Sequence, residues 1–141
     1  VVVIGGGLVG VELAEFLAER GRRVAVAHEG PVMALEMAHP RRWRVLHDLR
    51  EMGVELYTRT TVREITEECV HAERAGKQDA APEALSLPAD TVIVATGLAP
   101  NPGPVDELRR AGAPVVVVGD AGGVGYIEGA IHQGFAAVVD L

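Results

Sequence analysis

The spacing of apolar positions changes several times along the chain, and each change predicts an element. Residues 1–4, VVVI, form an unbroken apolar run closed by glycines, the pattern of a strand buried on both faces. Val11, Leu13, Ala14, Leu17 and Ala18 then recur at helical spacing, with Glu12, Glu15, Glu19 and Arg20 mostly between them, and Gly21 closes that helix. Residues 24–27 read as a second apolar strand and residues 54–58 as a third. Between them, residues 41–52 predict a helix with Trp43, Leu46, Leu49 and Arg50 along an imperfect stripe. Residues 31–40, PVMALEMAHP, have no clean period and read as a loop or irregular turn bounded by two prolines.

From residue 60 the texture alternates short apolar and polar residues, TTVREITEECVHAER, which predicts half-exposed antiparallel strands. Residues 77–88 then read as a long loop or hairpin tip, so a small β-meander is the economical arrangement. Residues 91–95, TVIVA, return to a continuous apolar strand, and residues 105–110 allow one or two helical turns. Residues 115–118 look like a last buried strand, and a final helical pattern runs through Ile127, Ala130, Ile131, Phe135 and Val138. The right-handedness of βαβ crossovers leaves few arrangements. The predicted fold is therefore α/β: a Rossmann-like parallel sheet in strand order 3-2-1-4, with residues 115–118 available as a fifth strand. Helices are expected on both faces, with the small antiparallel meander beside the sheet.

At 141 residues the chain has the size of one ordinary domain, and with few aromatics its core must be built from Val, Ala and Leu. A net charge of -7 argues against nucleic acid as a partner, since a phosphate-tracking surface needs a basic excess. The one basic cluster, Arg41, Arg42 and Arg44, is followed by Asp48 and Glu51 and reads as a solvated helix face. Cys69 is the single cysteine, and no membrane-length apolar run or signal sequence is seen, so a cytoplasmic location and no membrane partner are expected. The chain opens inside a strand-like run without an initiator methionine, and is expected to belong to something longer.

The chemistry concentrates at the ends of strands. Gly5-x-Gly7-x-x-Gly10 falls between the first strand and the first helix, where a dinucleotide fold needs glycine for the tight turn, for approach of a pyrophosphate and for close packing. Gly5, Gly6, Gly7, Leu8, Val9 and Gly10 are thus the candidate diphosphate cradle, with the free N–H groups of the helix's first turn facing the ligand. His28 and Glu29 end the second strand, about 20 residues beyond the glycines, where a side chain would meet the adenosine ribose. Glu29 there would repel a 2′-phosphate, which slightly favours NAD over NADP, whereas a protonated His28 or a swung Arg41 could attract one. Ala95, Thr96 and Gly97 end the fourth strand, and Gly119 and Asp120 follow residues 115–118, again at the edge where open α/β sheets bind ligands. The five histidines, His28, His39, His47, His71 and His132, show no metal-ligand spacing with a carboxylate partner, and Ser86 has no nucleophile-elbow context. No metal site and no catalytic residue are assigned.

Taken together, GGGLVGVELAEFLAERG, VAVAHEG, LPADTVIVATGLAPN, VVVVGDA and GYIEGAIHQG resemble the two-dinucleotide-domain flavoprotein disulfide reductase superfamily. Within it, EMAHPRRWRVLHDLREMGVEL and GDAGGVGYIEGAI are most similar to the carboxyl-terminal region of the dienoyl-CoA reductase, trimethylamine dehydrogenase and histamine dehydrogenase group. The resemblance implies an NAD(P)-binding domain over residues 1–100 and, over residues 101–141, a segment like the end of an FAD-binding domain. Asp120 would match the aspartate that bonds the ribityl chain of FAD, and the helix from Tyr126 and Ile127 onward would point its N-terminus at the flavin ring. The implied cofactors are NAD(H), NADP(H) or ADP, with FAD bound only in a longer parent protein. The implied partners are the nucleotide and the flavin and barrel domains of that parent. The isolated flavin-side segment would otherwise pair residues 115–118 with the sheet or with another copy of the chain. Two alternatives stay open: a structural ADP-binding module of the amine dehydrogenase kind, and a non-redox Rossmann domain.

Overall fold

The apolar run at the start of the chain becomes β1 (Val2–Ile4), an inner strand of the parallel sheet. In the computed structural model, which describes residues 1–76 and 80–139, β1 is flanked by β2 (Ala25–Ala27) and by β7 (Val92–Val94), both parallel to it. β3 (Glu55–Tyr57) pairs in parallel with β2, so the sheet order is β3-β2-β1-β7, the predicted 3-2-1-4 arrangement. Register is tight: Val3 lies opposite Val26 on one side and Ile93 on the other. Successive side chains of a strand point to opposite faces. Val3 and Val26 accordingly enter one apolar cluster, while Val2, Ala25 and Ala27 enter another.

The first cluster is covered by α1 (Leu8–Ala18), through Val11 and Ala14, and by α2 (His39–Glu51), through Val45 and Leu49. Helix α2 begins two residues earlier than its apolar stripe suggested, because Pro40 sits in its first turn, where a missing N–H costs nothing. Trp43, expected on the buried stripe, is instead 66% exposed and stacked on His47. The helix turns Val45 and Leu49 inward, and an imperfect stripe in the sequence does not show which of its edges meets the sheet. Residues 31–38, which lack a period, form the expected irregular turns, with Met33, Ala34 and Met37 buried in the same cluster.

The second cluster is closed by the antiparallel sheet of β4 (Thr60–Ile65), β5 (Cys69–Arg74) and β6 (Glu83–Pro88), through Val70 and Leu87. The meander therefore lies over one face of the parallel sheet, where a second layer of helices was expected. Residues 83–88 were expected in a hairpin tip but form β6, with Val70 opposite Leu87. Alternating Leu85 and Leu87 supply its inward face, and Pro88 is tolerated because β6 is an edge strand. Lys77, Gln78 and Asp79 of the expected tip lie outside the described residues.

The chain divides into two compact units, Val1–Gly97 and Leu98–Leu141. The second contains α3 (Gly103–Arg110), a short 3-10 turn (Gly119–Ala121) and α4 (Tyr126–Val139). Residues 115–118, expected as a buried fifth strand, form no ladder with any described strand, and Val116 and Val118 are 63% and 40% exposed. Val115 and Val117 are half-buried, so the exposure alternates as in a strand. β-branched residues favour that extended backbone, but a strand also requires a neighbour to take its N–H and C=O groups. No helix among the described residues is long and apolar enough to cross a membrane.

Candidate functional site

The glycine turn between β1 and α1 is built from three glycines with different reasons for lacking a side chain. Gly5 has φ +108°, a region that a Cβ disfavours, and a Cβ there would overlap the carbonyl of Ala95. A Cβ on Gly10 would overlap the carbonyl of Gly5, so this glycine lets α1 pack against the turn. Gly7 differs from both. Its backbone is extended (φ −72°, ψ −172°), and an added Cβ would meet only the carboxyl end of Glu36, 3.1 Å from Oε1. The fold requires Gly5 and Gly10, whereas Gly7 leaves open a cradle at the helix N-terminus.

Above that cradle the first N–H of α1 to bond back is that of Val11, to the Gly7 carbonyl at 3.1 Å. The N–H groups of Leu8, Val9 and Gly10 have no protein acceptor among the described residues. They form the positive end of an eleven-residue helix, a ready-made anion site. An open glycine beside three free donors fits a diphosphate, and the residues present suit a dinucleotide.

The neighbouring strand ends complete the edge. His28, at the end of β2, turns inward: its Nδ1 accepts the Gly6 N–H at 3.2 Å, which leaves Nε2–H to donate to the Val32 carbonyl at 3.0 Å. Glu29 is exposed. Gly30 leaves room for the imidazole, since a Cβ there would sit 2.7 Å from His28 Nε2. Ala95 is drawn to the turn by its N–H, which donates to the Ile4 carbonyl at 2.7 Å, and Thr96 and Gly97 follow it, exposed. The structure thus gathers Gly5 to Gly10, His28, Glu29 and residues 95–97 at the carboxyl edge of one sheet.

Two features escaped the sequence reading. The loop of residues 31–38 runs alongside the glycine turn and places Glu36 against Gly7. Arg41 at the start of α2 lies 3.9 Å from Glu12 of α1, an exposed pair. The only signal available for Glu36 was its place in a βα loop, which in a parallel sheet must emerge at the ligand-binding edge.

Gly119, Asp120, Tyr126 and Ile127 belong to the second unit. Gly119 is buried and its N–H donates to Gln133 Oε1 at 2.7 Å. Asp120 Oδ1 accepts the Gly125 N–H at 3.1 Å and faces a concavity of about 310 Å³ lined also by Leu98, Ala99, Asn101, Ala121 and Val124. Tyr126 opens α4 with φ +56°, and Ile127 is 80% exposed.

Residues 1–115 match the family described as pyridine nucleotide-disulphide oxidoreductase, and the chain belongs to that family. It is 40% identical over 139 residues to a bilirubin reductase of Mediterraneibacter gnavus, covering 97% of this chain and 21% of that protein. It is 36% identical over 137 residues to an NADH oxidase of Thermoanaerobacter brockii, covering 96% of this chain and 20% of that protein. Among solved structures, that of a 2-naphthoyl-CoA reductase superposes with a TM-score of 0.86 at 26% identity, over 99% of this chain and 21% of that one. The chain thus spans about a fifth of the length of these relatives.

Proposed function

We propose that this chain is the pyridine-nucleotide-binding part of a flavin-dependent NAD(P)H oxidoreductase of the dienoyl-CoA reductase type. In this role Gly5 to Gly10 hold the dinucleotide diphosphate, and the ends of β2 and β7, with His28, Glu29, Ala95, Thr96 and Gly97, border it. The observation that carries the reading is the Gly7 cradle, which packing does not require and which opens beside the three free N–H groups of α1. A bound nicotinamide cofactor supplies the hydride chemistry. The protein's share is to fix the diphosphate and so orient the rest of the molecule. The resemblance to bilirubin reductase and NADH oxidase supports a redox role over a non-redox one.

The second unit is, on the same reading, the closing segment of a flavin domain whose remainder lies in a longer parent protein. Gly119, Asp120 and the start of α4 at Tyr126 and Ile127 would face the ribityl and ring end of FAD. The Asp120 carboxylate, in the short turn after residues 115–118, suits hydroxyl donors, and a helix N-terminus favours negative charge. Titration of the chain with NADH, NADPH, ADP and FAD separately tests both halves. NADH should bind more tightly than ADP, and the chain purified without added cofactor should carry no visible flavin band. Equal affinity for ADP and NADH would favour a structural nucleotide site. A stoichiometric flavin band would show that the second unit suffices for FAD.

A further inference from the structure

We propose that the outer face of α1 and α2 is a self-association surface, on which a second copy of this chain docks to form a twofold dimer. Both crossovers run the same way along the sheet, so the two helices lie side by side and parallel over one apolar cluster. Each leaves an exposed aromatic on its outer side: Phe16 beneath the Arg20 guanidinium, and Trp43 stacked on His47. The charges along these outer sides are ordered. From its amino end α1 carries Glu12 and the half-buried Glu15, and its exit carries Arg20 and Arg22, with Glu19 already paired to Arg20 at 3.9 Å. Over the same course α2 carries Arg41 and Arg44, then Asp48 and Glu51, the opposite sequence of signs. Arg42 is half-buried and Arg50 turns back onto the Leu46 carbonyl at 3.0 Å, so neither disturbs that order.

Within one chain this pattern is barely used. Glu12 and Arg41 approach to 3.9 Å, and no other ion pair joins the two helices among the described residues. A second copy uses all of it. A twofold axis along the groove between the helices lays α1 of each copy over α2 of the other, in parallel. The acidic start of α1 then meets the basic start of α2, and the basic exit of α1 meets the acidic end of α2. Trp43 of each copy comes to face Phe16 of the other, an aromatic contact bordered by arginines, the residue types that dominate interface energetics. An axis across the helices would instead set α1 on α1 and α2 on α2, with Glu12 and Glu15 of both copies crowded at the centre. Helices of this length span about 16 to 20 Å, so the two-helix face covers about 400 Å², roughly half of the 800 Å² that a standard interface buries on each side. The dimer is accordingly weak, held by charge and loosened by screening. Because its axis runs along the helices, both glycine turns lie at the same end of the dimer.

Trp43 is the only tryptophan of the chain, so its fluorescence reports the contact directly. The full chain carrying Ile131→Lys, which silences the exposed apolar stripe of α4, is followed by sedimentation velocity and by Trp43 emission at about 50 mM and about 500 mM salt. At the lower salt it should dimerise, with Trp43 emission moving to the blue as chain concentration rises, and the higher salt should weaken the dimer by about tenfold. Glu12→Lys with Glu15→Lys should weaken it by about tenfold or more, and so should Arg41→Glu with Arg44→Glu. A chain with all four reversals should return to within about threefold of the unreversed chain, because α1 on α2 is complementary again. Circular dichroism of each variant checks its fold, and the salt dependence and emission shift of the unreversed chain test the surface without any reversal. A chain that stays monomeric at both salts overturns the proposal. So does association that strengthens with salt, that leaves Trp43 emission unmoved, or that the four reversals together fail to recover.

Discussion

Gly7 and Gly10 stand three residues apart, yet their substitutions should separate binding from folding. A side chain at Gly10 runs into the Gly5 carbonyl, which is backbone and cannot step aside. Gly10→Ala should therefore destabilise the chain by about 3 kcal/mol or more in urea denaturation. At Gly7 the obstacle is the movable end of the Glu36 side chain, and the backbone is one that any residue adopts. Gly7→Val should keep its thermal midpoint within a few degrees, while NADH affinity falls by about a hundredfold as its side chain fills the cradle. NADH affinity equal to that of the wild type in Gly7→Val would exclude the turn as the diphosphate site.

The meander and β3 carry the consequences that belong to whole elements. Val70 of β5 is fully buried and closes the cluster formed by Val2, Ala25, Ala27 and Leu87, so it fastens the antiparallel sheet to the parallel one. Val70→Ala should cost about 2 kcal/mol by chemical denaturation, from lost burial and the cavity left behind. The Arg63–Glu73 pair between β4 and β5 is exposed, and Glu73→Gln should change stability by less than about 1 kcal/mol. In β3 the Tyr57 hydroxyl has its pKa raised, first by burial and then by its bond to Glu55 Oε2 at 3.1 Å. The unfolded chain then loses this proton before the folded one. The stabilisation is complete below the unfolded tyrosine pKa of about 10 and is lost as pH rises through the higher folded value. Thermal melts of wild type and Tyr57→Phe should run parallel at neutral pH and converge or cross as alkaline pH removes the wild-type advantage.

At the scale of the molecule the two units differ in what they bury. Unit Val1–Gly97 contains both apolar clusters, whereas α3 and α4 bury no residue among those described. Ile127, Ile131, Phe135, Val138 and Val139 of α4 are all more than half exposed. Local opening is easiest where few apolar contacts hold an element. Amide exchange should accordingly be fast along α4 and slow in β1 and β2. Ile131→Lys should alter stability by less than about 0.5 kcal/mol. Slow exchange throughout α4 would mean that its apolar face is covered in solution.

What the sequence determined by itself was local or nearly so. The glycines of the turn, the period of α1 and the apolar runs of β1, β2 and β7 are properties of contiguous residues. Crossover handedness then set the order β3-β2-β1-β7, because few topologies satisfy it. Tertiary structure decided whatever depended on a distant partner. The inward ring of His28 needed Gly6 and Val32, and the position of Glu36 needed a loop without a period to be held by Met33 and Ala34. The face of α2 was chosen by the sheet beneath it, against the larger Trp43. Residues 83–88 became a strand because β5 offered a ladder, while residues 115–118, with stronger β propensity, found none among the described residues. Propensity belongs to a segment, but hydrogen-bond satisfaction and burial belong to a pair of segments, and only folding brings the second one into place.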